Sequence, residues 1–274
     1  MEKSLYILHI LVISIVFTGI SVFAQTENYK VLYSDDEMII REIDPGTYLV
    51  IHSFPWPANS LVVKLNKNRF LFIDTPYTDE ATEKLVNWLQ KRTLGKIKIT
   101  AVNTHFHVDN LGGNDYLKKI GAEIYGSDLT AKLLKERGLG NGMLQSFKNI
   151  QNDAFYTYYQ RKELVPPQKL FPIEKGLTLT FFTDTVEVWF PGAGHTPDNV
   201  VVYFPKKQLL FGGCILKSME SNTKGNLGDA VLSAWNTSLE KLLEKYPDAK
   251  LVIPGHGSIG GIELIKHTME VVKK

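Results

Sequence analysis

Four short apolar runs come first in the body of the chain, at residues 39–43, 47–54, 61–65 and 70–74. Their β-branched and aromatic content and their length predict strands. The period then changes: Ala81, Leu85, Trp88 and Leu89 fall on one helical face behind Thr78 as N-cap, with Asp79 and Glu80 in the first turn, which predicts a helix. Alternation returns at 97–103, followed by a short helix over 114–120 stopped by Gly121 and another opened by Ser127-Asp128. The second half repeats this grammar. Strands are predicted at 177–182, 186–190, 200–204, 208–211 and 251–253, a helix from the capping box Thr237-x-x-Glu240 to near Pro247, and an amphipathic helix over 262–273. Two strand-rich halves, each with helices outside, predict an α/β fold of two sheets packed face to face between helical layers. The stretch 138–168 breaks the pattern. It carries Phe147, Phe155, Tyr156, Tyr158 and Tyr159 without alternation and closes at Pro166-Pro167, and it reads as an inserted helical pair whose aromatics pack on the body.

The beginning of the chain belongs to none of this. Lys3 precedes an apolar run over 5–20, and Val22-Phe-Ala24 is a small-residue cleavage site, so residues 1–24 read as a secretory signal peptide. The run is shorter than the roughly 20 residues of a membrane span, and no cysteine follows the cleavage site to take a lipid. One domain, 25–274, remains, long enough for a sizeable core. Its expected place is the periplasm, with no membrane attachment after cleavage. A net charge of +2 without any lysine/arginine run argues against nucleic acid as a partner. Cys214 is the only cysteine. In an exported chain it cannot close an internal disulfide, so the thiol is buried, paired between chains, or held by a metal.

Metal is the chemistry the remaining motifs point to. His105-Phe-His107-Val-Asp109, His195, Cys214 and His256 offer six ligands of types that zinc accepts. In extended backbone, residues two apart face the same side, so 105, 107 and 109 can converge at a strand end. By ligand type the six sort into three imidazoles (His105, His107, His195) and a mixed set (Asp109, Cys214, His256). Type alone does not decide which residues share an ion. Three protein ligands per ion leave a position open for water, as in catalytic sites. His9, His52 and His267 read as ordinary hydrogen-bonded histidines.

With their flanks, these residues form five blocks: Asn103-Thr-His-Phe-His-Val-Asp109 with Gly112-Gly113, Pro191-Gly-Ala-Gly-His-Thr-Pro-Asp-Asn199, Phe211-Gly-Gly-Cys-Ile-Leu-Lys217, Gly225-Asn-Leu-Gly-Asp-Ala230, and Val252-Ile-Pro-Gly-His-Gly257. In this order they closely resemble the metallo-β-lactamases of subclass B1. Asn110 after the motif aspartate, and Cys214, set the chain apart from the thioesterases and lactonases of the wider superfamily.

The resemblance implies an αββα sandwich of two mixed sheets. It also implies two Zn2+ per chain, one on His105, His107 and His195, the other on Asp109, Cys214 and His256. A hydroxide between them would open the lactam ring of penicillins, cephalosporins and carbapenems, conferring antibiotic resistance. Asp109 would orient that water, Lys217 would meet the substrate carboxylate, and Asn226 would donate to the lactam carbonyl. Asp74 would support a metal ligand. Two departures mark a minority branch: a short flap, Ser53-Phe-Pro-Trp-Pro-Ala-Asn-Ser60, and the insertion at 138–168. Phe54 and Trp56 on the flap are candidates for apolar contact with substrate, and packing against the body is the equal alternative. The small-molecule substrate needs no partner chain, and a monomer is expected.

Overall fold

The computed structural model describes residues 28–150, 153–182 and 184–274; the signal-peptide reading of 1–24 lies outside them. One sheet holds eight strands in chain order: β1 (Lys30–Ser34), β2 (Met38–Asp44), β3 (Thr47–Ser53), β4 (Pro57–Lys64), β5 (Arg69–Ile73), β6 (Lys98–Val102), β7 (Glu123–Ser127) and β8 (Lys169–Phe171). Strands β1 to β5 pair antiparallel, whereas β5 to β8 pair parallel. The other sheet runs β13-β12-β11-β10-β9, from β9 (Leu177–Phe181), β10 (Asp184–Trp189), β11 (Val201–Phe204), β12 (Leu209–Gly213) and β13 (Leu251–Pro254), with only the β12/β13 pair parallel. The helices are α1 (Asp79–Gln90), α2 (Val108–Leu111), α3 (Asn114–Lys119), α4 (Asp128–Arg137), α5 (Met143–Lys148), α6 (Asp153–Arg161), α7 (Leu232–Lys245) and α8 (Glu263–Lys273). Parallel neighbours need a crossover, which α1 supplies between β5 and β6 and α7 between β12 and β13.

The central strands are apolar on both pleat faces because both faces are covered. Leu61, Val63, Leu71 and Ile73 meet Val186, Val188, Val202, Leu209, Phe211 and Ile253 between the sheets. Their sequence neighbours Val62, Phe70 and Phe72 face outward onto Leu85, Trp88 and Leu89 of α1. On the other side Val201, Leu210 and Val252 face Trp235, Leu239 and Leu242 of α7 and Leu264 and Ile265 of α8. Helix, sheet, sheet and helix are therefore stacked as the periodicity predicts. Each fully buried large aliphatic side chain in these layers contributes about 1.5–3 kcal/mol.

Three strands, β1, β7 and β8, were not predicted. β1 is an edge strand with no fully buried residue, and β8 has three residues; neither carries the alternation that marks a strand. The predicted capping box of α7 is a correction. The helix starts at Leu232, and Thr237 lies exposed inside it, because the stripe Trp235, Leu239 and Leu242 that packs on the sheet already begins before Thr237. The helical pair in 138–168 is present as α5 and α6. No helix among the described residues is long and apolar enough to cross a membrane.

Candidate metal centre

Every predicted ligand follows the end of a strand or lies in the loop beyond one. β6 ends at Val102, and the segment after it is fixed by Asp74 at the end of β5. Asp74 accepts from Thr104 N and from Thr104 Oγ1, both at 2.7 Å. It does this with φ of 60°, a conformation unusual for a residue other than glycine. Complete burial pushes its carboxyl pKa up, against the Thr104 hydrogen bonds. Asp74 therefore positions the residue before His105, its side-chain hydrogen bonds going to Thr104.

Beyond Thr104, Phe106 is wholly buried among Leu111, Leu133 and Leu134, which turns His105 and His107 to the other side. His107 is the N-cap of α2, so Asp109 sits in the first turn of a helix. The extended run expected through 109 thus ends at His107. The helix lets Asp109 approach the residues delivered by the second sheet.

The ring centroids of His105, His107 and His195 lie 4.8, 5.4 and 5.2 Å apart pairwise, and their ligand atoms are close enough to share one ion. His105, Asp109 and Cys214 form a second such group. Asp109 Oδ2 lies 3.4 Å from Cys214 Sγ and 3.1 Å from His256 Nε2, so the mixed set also converges, with His105 at the seam between the two groups. Gly255 permits this approach: a Cβ there would come within 2.4 Å of Cys214 Sγ.

Polar neighbours orient the ligands. His256 Nδ1 donates to Pro57 O at 2.7 Å, leaving Nε2 turned to Asp109. Asn59 on β4 clamps the same loop through Pro254 O and Gly257 O, each at 2.9 Å. His107 Nε2 donates to Asp229 Oδ2 at 3.1 Å, while Arg137 Nη1 and Asn141 N bind the same carboxylate at 2.8 and 2.7 Å. The Nδ1 atoms of His105, His107 and His195 are buried without a hydrogen-bond partner. Orphaned buried nitrogens of this kind fit a cation.

Electrostatics favour the same reading. Burial, helped by the neighbouring His107, lowers the His105 pKa to about 3, and burial together with Lys217 holds His195 well below its ordinary value, so both rings are neutral, as metal-binding imidazoles are. Asp109 is held well below the carboxylate range by His256 and the other histidines, against burial. Burial and the Asp109 charge push the Cys214 thiol up. A thiol so placed becomes a thiolate when a cation binds beside it.

His107, Asp109, His195 and His256 open onto a cavity of about 800 Å3 whose walls include Trp56, Met143, Ser146, Lys217 and Asn226, a volume that suits a drug-sized ligand. Lys217 is 8% exposed, and no acidic side chain pairs with it among the described residues. Its Nζ lies 5.5 Å over the Trp235 ring, and burial lowers its pKa. Asn226 Oδ1 accepts from Gly228 N at 3.0 Å, and its Nδ2 has no partner. Trp56 lines the cavity; Phe54 does not, packing instead against Phe155, Tyr158 and Tyr159. His52 and His267 make ordinary hydrogen bonds, to Tyr77 N and Ser221 O.

Sequence reasoning missed Asp229 and Asn59 as supports of ligands. Asp229 lies inside the Gly225-to-Ala230 block, where a lone aspartate among turn residues carries no spacing signal.

The pattern of the Metallo-beta-lactamase superfamily matches residues 54–256. The chain is 38% identical over 216 residues to the metallo-beta-lactamase type 2 of Pseudomonas aeruginosa, covering 79% of this chain and 74% of that one. It is 34% identical over 218 residues to the enzyme of the same name from Bacteroides fragilis, covering 80% and 76%. Among solved structures, the metallo-beta-lactamase from Pontibacter korlensis aligns with a TM-score of 0.71 at 30% identity, covering 87% of this chain and all of that one. DIM-1 metallo-beta-lactamase exposed to ceftazidime gives 0.71 at 32%, with 88% and 99% covered. The matched span takes in all six predicted ligands, and the two-sheet sandwich that carries them is shared, so the chain belongs to the metallo-β-lactamase superfamily.

Proposed function

We propose that this protein hydrolyses the amide bond of β-lactam antibiotics, namely penicillins, cephalosporins and carbapenems, as a dinuclear zinc enzyme. The observation that carries this is a buried, unpaired lysine opening into the same cavity as His107, Asp109, His195 and His256, beside two groups of residues able to hold a metal. An unpaired buried cation is costly, and the carboxylate of a β-lactam would satisfy it. The mixed nitrogen, oxygen and sulfur donors suit zinc. His105, His107 and His195 would hold one ion, and Asp109, Cys214 and His256 the other. Zinc there supplies Lewis acidity, bringing the pKa of water to about 7 and polarising a carbonyl.

The chain's own groups do the rest. Lys217 Nζ anchors the substrate carboxylate by a charge-assisted hydrogen bond. Asp109, with Oδ1 held by Asn110 Nδ2 at 2.8 Å and Oδ2 beside Cys214 and His256, would orient the reacting water. Asn226 Nδ2, its partner oxygen already engaged by Gly228, donates to the lactam oxygen as charge develops there. Trp56 and Met143 cover the substrate's apolar face and exclude water, and Phe54 acts from behind by holding the flap. Export after loss of residues 1–24, and action as a monomer in the periplasm, complete the reading.

Ser-x-x-Lys, the motif of serine β-lactamases, occurs at Ser221/Lys224 and Ser238/Lys241. Ser238 Oγ is tied to Ala193 O on the buried face of α7, and Ser221 Oγ donates to Thr223 O, so neither presents a prepared nucleophile. The test is hydrolysis of a penicillin, a cephalosporin and a carbapenem by purified mature protein, with and without a chelator. All three rings should open, activity should vanish on chelation and return with zinc, and intact mass should show no acyl adduct. Activity surviving exhaustive chelation, or a covalent adduct, would overturn the reading.

A further inference from the structure

One carboxylate on the cavity wall is neither a metal ligand nor paired with a cation of the protein. Glu220 lines the cavity together with Lys217, His256 and Gly257. Its Oε1 accepts from Ser258 N at 2.6 Å, and a Cβ on Gly257 would come within 2.5 Å of that oxygen, so the carboxylate is fixed beside the His256 loop. Partial burial works against its charge, but hydrogen bonds from Ser258 and Ser218 hold its pKa below the ordinary carboxylate value. Among the described residues no lysine, arginine or histidine forms an ion pair with it. The two charges on this wall come from one short stretch of chain. Ser221 N donates to Ser218 O at 3.0 Å, closing a turn directly after Lys217 with Glu220 inside it. A positive and a negative group therefore line one cavity, three residues apart in the chain.

We infer that Glu220 forms a subsite for a positively charged substituent, making zwitterionic β-lactams the favoured substrate class. The inference rests on the β-lactam reading above, in which Lys217 takes the substrate carboxylate. In a cephem or carbapenem nucleus the carbon bearing the carboxylate is double-bonded to the carbon bearing the second variable substituent. The two groups are neighbours in one plane. With the carboxylate on Lys217, the neighbouring substituent reaches the turn that holds Glu220. A cation there would otherwise face Lys217 and a cationic metal centre, and like charges so placed are repelled. Glu220 offsets that repulsion, and the order plus-minus on the wall matches the order minus-plus on the substrate.

The test compares two cephalosporins that share an acyl side chain, one with a pyridinium-methyl and one with an acetoxymethyl substituent. It is run on the wild type, Glu220→Gln and Glu220→Lys, each loaded with zinc and matched for metal content and melting temperature. Glutamine keeps an oxygen for Ser258 N, and the ratio of the two kcat/KM values is an internal control for any loss of fold. That ratio, cationic over neutral, should fall about fivefold in Glu220→Gln, the scale of a solvent-accessible ion pair. It should fall further in Glu220→Lys, and the change should shrink at high salt. Hydrolysis of both compounds with a ratio unmoved in either variant overturns the subsite alone. A wild type that opens neither compound overturns the β-lactam reading and the subsite with it.

Discussion

Lys217 brings a charge to a place where little water can solvate it, with only an aromatic ring beneath. Such a group is stabilised by a ligand of opposite charge, so its removal should be felt in binding first. Lys217→Ala is expected to raise KM roughly ten- to a hundredfold for substrates bearing a carboxylate, the equivalent of about 1.5–3 kcal/mol for a lost charge-assisted hydrogen bond. Steady-state kinetics on one penicillin checks it, and an unchanged KM would return the lysine to a structural role. The six predicted ligands were legible from residue type and spacing, because imidazole, thiolate and carboxylate carry their chemistry wherever they stand, whereas this lysine was marked only by the resemblance to a family. Asp229, Asn59 and Glu220 were not. Their meaning lies in what they touch: Asp229 is 122 positions from His107 and Asn59 is 195 from Pro254, separations that no local pattern encodes.

At the scale of elements, the short flap and the insertion are one device. Trp56 stacks on Phe147 at 5.3 Å and 25°, and Phe147 stacks on Tyr159 at 4.1 Å and 16°. Tyr159 Oη donates to Phe54 O at 2.9 Å. The wall of the cavity formed by Trp56 is thus held from behind by α5 and α6. The aromatic content of the insertion signalled packing on the body, as observed; its meeting with the flap needed the tertiary structure. Phe147 is wholly buried. Phe147→Ala should therefore cost about 3–5 kcal/mol, seen as a lower denaturant midpoint at unchanged m-value. A loss below about 1 kcal/mol would mean that the site collapses freely and the ladder does not hold the flap. α1 was legible to its cap, Thr78 Oγ1 accepting from Ala81 N, because a cap is a local hydrogen bond. The start of α7 was not, because packing of Trp235 on the sheet outweighs the capping preference of Thr237.

For the molecule as a whole, the two sheets meet so that the ends of β6, β12 and β13 deliver ligands to one point. The αββα layering followed from two strand-rich halves, each with helical stripes outside. The strand order and the parallel β5-to-β8 block did not, since pairing between distant strands leaves little mark on either. What the architecture achieves is two adjoining ligand groups fixed by residues outside them: Asp74 through Thr104, Asp229 on His107, Pro57 O on His256. The most direct measurement is a zinc titration of metal-stripped protein, following bound metal and cephalosporin hydrolysis in the same samples. Inactive protein before zinc, occupancy reaching a plateau at two ions per chain, and hydrolysis restored as the sites fill are the expected results. Hydrolysis before any zinc is added, or full occupancy at one ion per chain, would contradict the dinuclear centre.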